Sequence, residues 1–364
     1  MKKALIIGAG PVGCTIANKL SSKYKIDIFD RRNHIAGNCY DYKDKYGVLV
    51  HKYGPHYFRT NSKQVIKYLS NFTEWIDGDY KVNSFVDGKL FQFPINLNTL
   101  EKFFNKKFTK NTARKFLEEI SIKSNNNNFE DYLKSKLGKL IYEKFYKNYT
   151  AKQWNKNPKK LDASIAKRIP IRFNRDNKYI RAKYTVMPKK GFTYMFNKMI
   201  KKKNINLNLG KKYNSQFSNL KKYDIVIYTG PIDNFFNFKY GRLNWRSLRF
   251  KFNSYKKKFH QKVLQINYPN NYKFTRKVEY KHVTKQRTKF TTISSEYPKS
   301  QGQPYYPVNL KRDKSIYKKY KLEAKKLEKK NIFCCGRLAE YTYINTDEAV
   351  LRGLNLAKII LKKK

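Results

Sequence analysis

Cysteine is rare in this chain: Cys14, Cys39, Cys334 and Cys335 are the only four in 364 residues, and none forms a CxxC pair. That excludes a disulfide framework and a thiolate metal site, and the four read as buried, reduced thiols of a cytosolic protein. Its five histidines lie too far from one another and from the cysteines to suggest zinc, so no metal is expected. No apolar stretch approaches the length of a membrane span. Lys2 and Lys3 before Ala4 to Ile7 imitate the start of a signal peptide, but the run is too short and breaks at Gly8. Acidic residues are also scarce, at 26 Asp and Glu against 81 Lys and Arg, which leaves a formal charge of +55.

Such a charge ordinarily points to nucleic acid. Here the lysines are scattered through every segment, as in Lys201-Lys202-Lys203, Lys256-Lys257-Lys258 and Lys362-Lys363-Lys364. They mix with abundant Asn, Ile and Tyr, residues that share A/T-rich codons, and no helix-turn-helix, zinc-finger or RNP-like signature focuses them. The expectation is no specific nucleic-acid partner, with weak, salt-dependent association with anionic surfaces. A positive field also draws in an anionic substrate.

The most informative stretch is Ala4-Leu5-Ile6-Ile7-Gly8-Ala9-Gly10-Pro11-Val12-Gly13, an apolar strand that ends in a GxGxxG turn and opens a helix at Cys14 to Leu20. Gly8 permits the tight exit, Gly10 lets backbone approach a pyrophosphate, and Gly13 lets the helix pack on the sheet. A second strand, Lys25 to Phe29, ends in Asp30, whose carboxylate suits an adenosine ribose and repels the 2'-phosphate of NADP. The cofactor is then FAD or NAD. No second GxGxxG follows, so the paired nucleotide domains of a flavin reductase are excluded. The continuation Arg31-Arg32-Asn33-His34-Ile35-Ala36-Gly37-Asn38 resembles flavoproteins that wrap FAD.

Beyond Pro94 the composition changes. From Leu97 to about Leu161 it is polar, glycine-poor and helix-periodic, with a loop at Asn125 to Asn128 and a helix from Phe129 to Tyr149. After Met187 short strands return, including Asp224 to Tyr228 before Gly230. Phe250 to Tyr306 alternates like an antiparallel sheet, and Ile332 to Cys335 with a helix from about Thr346 to Leu361 closes the nucleotide domain. The expected division is a discontinuous nucleotide domain of residues 1–96, 187–249 and 330–364, a helical domain of 97–186, and an antiparallel sheet of 250–329. Between Phe145 and Trp154 four aromatics stand within ten residues. Helical core and a stacking platform for a base are both open there, with Lys152, Gln153 and Trp154 expected past the helix end.

Blocks that share one order and spacing run along the chain: Gly8 to Gly13, Asp30 to Asn38, His51 to His56, Tyr149 to Trp154, Lys167 to Phe173, Tyr228 to Asp233, Arg246 to Leu248, Thr275-Arg276, Glu296 to Pro298, Pro304 to Pro307 and Gly336 to Leu338. By these blocks, over nearly its whole length, the chain resembles the bacterial UDP-galactopyranose mutases. The resemblance implies an α/β fold, with a Rossmann-like FAD-binding domain, an inserted helical domain and an antiparallel β-sheet domain. It implies an isomerase that interconverts UDP-galactopyranose and UDP-galactofuranose with no net oxidation. N5 of reduced FAD acts as nucleophile at the anomeric carbon, and UDP leaves and returns. NAD(P)H or another donor primes the flavin, and the protein is a cytoplasmic homodimer.

By the same resemblance Arg168 and Arg276 clamp the departing diphosphate, Arg168 riding on a mobile lid at about 161–173, with Arg172 a lesser candidate. Trp154 stacks uracil, lined by Phe145, Tyr149 and Thr150, with Tyr179 beside the nucleotide. Asn83, Asn267, Tyr306 and Tyr343 approach the sugar and diphosphate, and Tyr305 is an alternative to Tyr306. The flavin site takes Gly8, Gly10, Val12, Gly13, Asp30, Arg31, Asn38, His56, Tyr57, Gly230, Arg246, Arg337 and Asn345, with His56 beside the isoalloxazine.

Three positions depart from the family pattern. Arg59 replaces a second histidine, Asn345 an aspartate and Thr185 a glutamine. These leave the reaction type and open the sugar, so that UDP-N-acetylgalactosamine and dTDP-fucose stand as alternatives. A flavin amine oxidase or desaturase shares the cofactor domain, and a noncatalytic polyanion-binding flavoprotein would follow from the charge alone.

Overall fold

A computed structural model describes residues 1–213, 220–308 and 310–362; the last two lysines of Lys362-Lys363-Lys364 lie outside the described residues. Five parallel strands form the first sheet, in the order Ile205–Leu209, Tyr24–Asp30, Lys2–Ile7, Ile225–Tyr228 and Ile332–Cys334. It therefore unites strands from both ends of the chain. In the strands Lys2–Ile7, Ile225–Tyr228 and Ile332–Cys334 side chains on both faces are buried: Leu5, Val226 and Ile332 pack on one side, and Ala4, Ile6, Ile227 and Phe333 on the other. Covering both faces is what makes these strands read as continuous apolar runs. The helix Pro11–Leu20 lies on the second side between Thr346–Lys362 and Phe192–Ile200.

A second sheet has seven strands, in the order Tyr306–Pro307, Trp245–Tyr255, Thr291–Lys299, Arg276–Glu279, Gln265–Asn267, Val82–Val86 and Lys89–Phe93. Every pairing is antiparallel except Gln265–Asn267 with Val82–Val86. Residues 82–93, placed by sequence with the nucleotide-binding strands, thus belong to this sheet, through a pairing more than 180 residues distant that no local pattern announces. A small sheet, Phe58–Thr60 with Tyr184–Pro188 and Trp75–Asp77, sets Arg59 directly opposite Thr185.

The inserted segment is helical. Asn96, Thr109 and Asn128 cap the helices Leu97–Phe104, Lys110–Glu119 and Phe129–Ile141, each side chain accepting a first-turn N–H. Phe129–Ile141 kinks at Gly138 (φ 74°, ψ 172°), then runs through a π-helical turn, Tyr142–Lys147, into the helix Asn148–Trp154. Lys152, Gln153 and Trp154 are therefore inside a helix that ends only at Asn155, where the backbone turns left-handed (φ 50°). The wide turn spends an extra residue and shifts the 3.6-residue register on which the earlier end was placed.

Among the described residues no helix is long and apolar enough to cross a membrane, and no group of His, Cys, Asp and Glu is set to hold a metal. All four cysteines are free, with Cys334 only half-buried. Burial pushes the Cys14 and Cys39 thiols up to about 12.

Candidate active site

Three neighbouring parallel strands end in glycine turns on one side of the first sheet: Gly8 after Lys2–Ile7, Gly230 after Ile225–Tyr228 and Gly336 after Ile332–Cys334. Ligands of open parallel sheets bind at this carboxyl edge. Gly8 has φ +114°, and a Cβ there would meet Thr229 Oγ1 at 2.0 Å. A Cβ on Gly13 would meet the Gly8 carbonyl oxygen at 2.0 Å, so helix and strand approach through two glycines. Gly10 has only Gly37 Cα, at 3.8 Å, near its Cβ position. As N-cap of the helix Pro11–Leu20 it brings no capping side chain, and no acid stands in the first turn. This open, positive helix end suits a pyrophosphate.

Around it, Asp30 accepts from the Ala9 N–H and the Arg32 N–H, each at 2.9 Å, and so fixes the turn while keeping lone pairs for a ribose. Arg32 donates to Asn38 Oδ1 at 2.9 Å and lies 4.3 Å over the Tyr53 ring, while Arg31 is exposed beside it. Val12, 5% exposed, packs where a Cβ on Gly336 would touch it at 3.0 Å. These features form a cradle that fits a dinucleotide.

The second half of the site is a knot of arginines and tyrosines. Arg276, on the strand Arg276–Glu279, is directly opposite Glu296, and its Nε and Nη2 reach Glu296 Oε2 at 2.9 and 2.8 Å. Glu296 is 1% exposed, and its Oε1 has no partner. Arg168, following the short helix Ser164–Lys167, sits 4.2 Å over the Tyr343 ring, and Arg337 lies 4.8 Å from the same ring. Burial alone would raise the Tyr343 phenol, yet Arg337, Arg168 and Arg276 outweigh it and hold its pKa below the ordinary value. Tyr306 stacks on Tyr343 at 5.8 Å, and Tyr305 is buried behind it. Three guanidiniums thus converge where one carboxylate is buried, an excess of positive charge that suits a diphosphate.

His56 lies between the two halves. Its Nδ1 meets the Gly54 carbonyl at 3.0 Å, and the His56 backbone N–H donates to His51 Nδ1 at 3.1 Å. Burial, then Arg337, lowers its pKa to about 4, so the ring is neutral at physiological pH; burial takes His51 to about 3. Tyr57 donates to Gln265 Oε1 at 2.6 Å, and Gln265 Nε2 donates to Asn267 Oδ1 at 2.7 Å. Asn267 pairs with Arg276 across the hairpin, and Asn83 lies on the adjoining strand. Tyr179 packs against Tyr57 and Phe93, its hydroxyl in the field of Arg276, Arg59 and Arg168. Tyr149 is half-buried, near Arg276, Glu296 and Tyr306.

Several expected residues are engaged elsewhere. Phe145 is a core side chain, 3% exposed, edge-on to Phe91 at 5.4 Å and Phe103 at 5.3 Å, and Thr150 is buried in the same helical segment. Trp154 packs on the edge of that core but stays half-buried, so part of its ring remains open to a ligand. Arg172, 8% exposed, is consumed by Asp176 at 3.0 Å and by the Asp176 and Lys178 carbonyls, so it is not a phosphate ligand. Arg246 turns its guanidinium away from the glycine turns: it donates to the Gln153 carbonyl at 2.9 Å, Ser300 Oγ at 2.8 Å and the Lys152 carbonyl at 3.3 Å. It closes the end of the helix Asn148–Trp154. Asn345 opens the last helix, its N–H and Nδ2 both donating to Glu348 Oε2. Sequence reasoning missed Gln265, and it quoted Glu296 and Arg32 only within their blocks without giving either a role; the signal for Glu296 was its cross-strand position opposite Arg276, visible only once that register is fixed.

Comparison with known proteins bears on the family and the fold. A family model described as UDP-galactopyranose mutase matches residues 144–343, and one described as NAD(P)-binding Rossmann-like domain matches residues 6–72. A Klebsiella pneumoniae protein named "Probable UDP-galactopyranose mutase" is 35% identical, over 98% of this chain and 94% of its own. An Escherichia coli dTDP-fucopyranose mutase is 33% identical over 100% of this chain and 99% of its own. The crystal structure of a reduced UDP-galactopyranose mutase shares the fold, with a TM-score of 0.76 at 16% identity, covering 99% of this chain and 96% of that one.

Proposed function

The chain belongs to the UDP-galactopyranose mutase family, and from that premise we propose that it interconverts the pyranose and furanose forms of UDP-galactose on a reduced flavin. The observation that carries this reading is the convergence of Arg168, Arg276 and Arg337 on Tyr343, beside an open glycine cradle at the carboxyl edge of the parallel sheet. When bound and reduced, FAD supplies through N5 the nucleophile for the anomeric carbon. The residues do the rest. Arg276, held in plane by Glu296, offers forked donors to the diphosphate as it gains charge on leaving the sugar. Arg168, on an exposed short segment, comes in as part of a lid and keeps the departed UDP within reach for its return. Trp154 and Tyr149 face the base, Asn83 and Asn267 the sugar, and neutral His56 the flavin. The cofactor side comprises Gly8, Gly10, Val12, Gly13, Asp30, Arg31, Asn38, Tyr57, Gly230 and Arg337.

NAD(P)H or another donor primes the flavin, and the working form is a cytoplasmic homodimer; these rest on the resemblance. Association with anionic surfaces has local support in the helix Lys311–Leu327, whose outer face carries Lys314, Lys318, Lys321 and Lys325 around Leu322, 56% exposed. A second reading, a dTDP-6-deoxyhexose as substrate, is favoured by the E. coli relative and by the Arg59 and Thr185 departures, which face each other across one strand pair.

The test is chromatography of UDP-galactofuranose incubated with dithionite-reduced protein, beside an oxidised control. Conversion to UDP-galactopyranose only after reduction is expected. No conversion with flavin and UDP still bound would redirect the search to dTDP-fucose and UDP-N-acetylgalactosamine.

A further inference from the structure

The helix Asn148–Trp154 and the hairpin Gln265–Glu279 form two walls of the proposed nucleotide pocket. The first carries Tyr149 and Trp154, and the second carries Asn267 and Arg276. One side chain spans them. Lys152 Nζ donates to the backbone carbonyls of Tyr268 at 2.6 Å, Tyr272 at 2.8 Å and Phe274 at 3.3 Å. All three belong to the loop between Asn267 and Arg276, so the ammonium sits inside the loop that joins two candidate substrate residues.

An ammonium has three donors and no acceptor, and these three carbonyls saturate it. Among the described residues it has no ion pair with a carboxylate. Burial without a counter-charge disfavours the cation and lowers its pKa to about 8. Three charge-assisted bonds from one side chain set the helix and the loop at a fixed separation. The neighbouring contacts point the same way. Asn148 Nδ2 donates to Asn270 Oδ1 at 2.9 Å, and Asn270 Nδ2 donates to the Lys144 carbonyl at 3.0 Å. At its C-terminal end the helix is held by Arg246.

We propose that Lys152 is a positioning residue that fixes the distance between the base-binding helix and the diphosphate-binding arginine, so that a nucleoside diphosphate engages both at once. It touches neither ligand half. The gain lies in preorganisation: two walls set at the span of UDP bind it as one unit, and a misplacement of about 1 Å can cost on the order of 10²-fold.

This rests on the proposed function, and the test separates the two. Binding of UDP, uridine and inorganic pyrophosphate is measured by calorimetry on the flavin-loaded protein, wild type beside Lys152→Met and Lys152→Arg. If the wild type does not bind UDP, the nucleotide reading itself fails. If it does, Lys152→Met is expected to weaken UDP about tenfold or more while uridine and pyrophosphate each stay within about twofold. Lys152→Arg, with donors enough for the three carbonyls, restores UDP binding. Unchanged UDP affinity in Lys152→Met overturns the proposal, as does an equal loss for UDP and uridine. Should Lys152→Met fail to fold, Lys152→Gln replaces it. If that also loses flavin and native circular dichroism, the lysine is a folding clasp and the proposal falls.

Discussion

Replacing Arg276 by alanine removes two things that the structure allows to be separated. The first is the fork of donors proposed for the diphosphate. Loss of one preorganised donor at a developing oxyanion costs about 10²–10³ in kcat. The second is the counter-charge of Glu296, which is 1% exposed and whose Oε1 already lacks a partner. Orphaning a buried carboxylate costs about 3–5 kcal/mol of stability. Arg276→Ala should therefore lose at least about 10²-fold in turnover and several degrees in Tm, while the flavin, cradled at Gly8 to Gly13, stays bound. The double variant Arg276→Ala/Glu296→Gln removes the orphaned charge and should recover most of the Tm with none of the turnover. Chromatographic turnover of UDP-galactofuranose by reduced protein, flavin absorbance and calorimetric melting give the three readouts. Turnover of the single variant within tenfold of wild type refutes the clamp. Recovery of turnover in the double variant refutes it differently, by assigning the loss to misfolding around Glu296.

Trp154→Ala should weaken UDP binding by about 1–3 kcal/mol, the range for a base stacked on an aromatic ring; unchanged affinity returns Trp154 to the helical core. His51 and His56 hold depressed pKa values, about 3 and about 4, so the unfolded chain takes up their protons first as pH falls through the ordinary histidine value. Their contribution to stability is complete above about pH 6.5 and is lost on acidification toward pH 4 to 3. Melting temperature followed over that window should fall, and His51→Gln should flatten the fall; equal slopes contradict the assignment. Sedimentation with phosphatidylglycerol vesicles at low salt should retain the protein and fail with phosphatidylcholine. Reversing Lys314, Lys318, Lys321 and Lys325 to glutamate should reduce that binding at least tenfold, since each basic residue near such a surface contributes about 1 kcal/mol. If the reversed protein sediments as before, the association belongs to the scattered charge.

What could be read from the sequence was local. The strand, glycine turn and helix from Lys2 to Leu20 lie within one short stretch, and with Asp30 at the end of the next strand they point to a dinucleotide site. Strands Ile225–Tyr228 and Ile332–Cys334 announced themselves because they are covered on both faces. The misreadings share a cause in distance. Val82–Phe93 reached its sheet through Gln265–Asn267, and Arg246 found its acceptors on residues 93 and 94 positions away. A guanidinium's direction is set by whichever orphan carbonyls the fold delivers to it, here the end of the helix Asn148–Trp154. Arg276 and Glu296 form an ion pair only in one register of one hairpin.

The net charge of +55 invites an explanation by charge alone, and the site argues against it. Scattered lysines are screened beyond about 10 Å in salt and lend a field without a shape. The active-site arginines differ in kind. Arg168, Arg276 and Arg337 all act on the half-buried phenol of Tyr343, and Arg59 adds its charge beside Tyr179. Against them stands Glu296, one carboxylate with one oxygen engaged. The family pattern would place a histidine at 59 and an aspartate at 345. Arg59 and Asn345 each shift the balance further toward positive charge, although Asn345 spends its amide on Glu348 at the start of a helix. Arg59, facing Thr185, is the departure whose charge reaches Tyr179. Selectivity among nucleotide sugars is therefore to be sought at the Arg59 and Thr185 pair, where a His or Gln exchange alters the wall near Tyr179 while leaving the Arg276 and Glu296 hairpin intact.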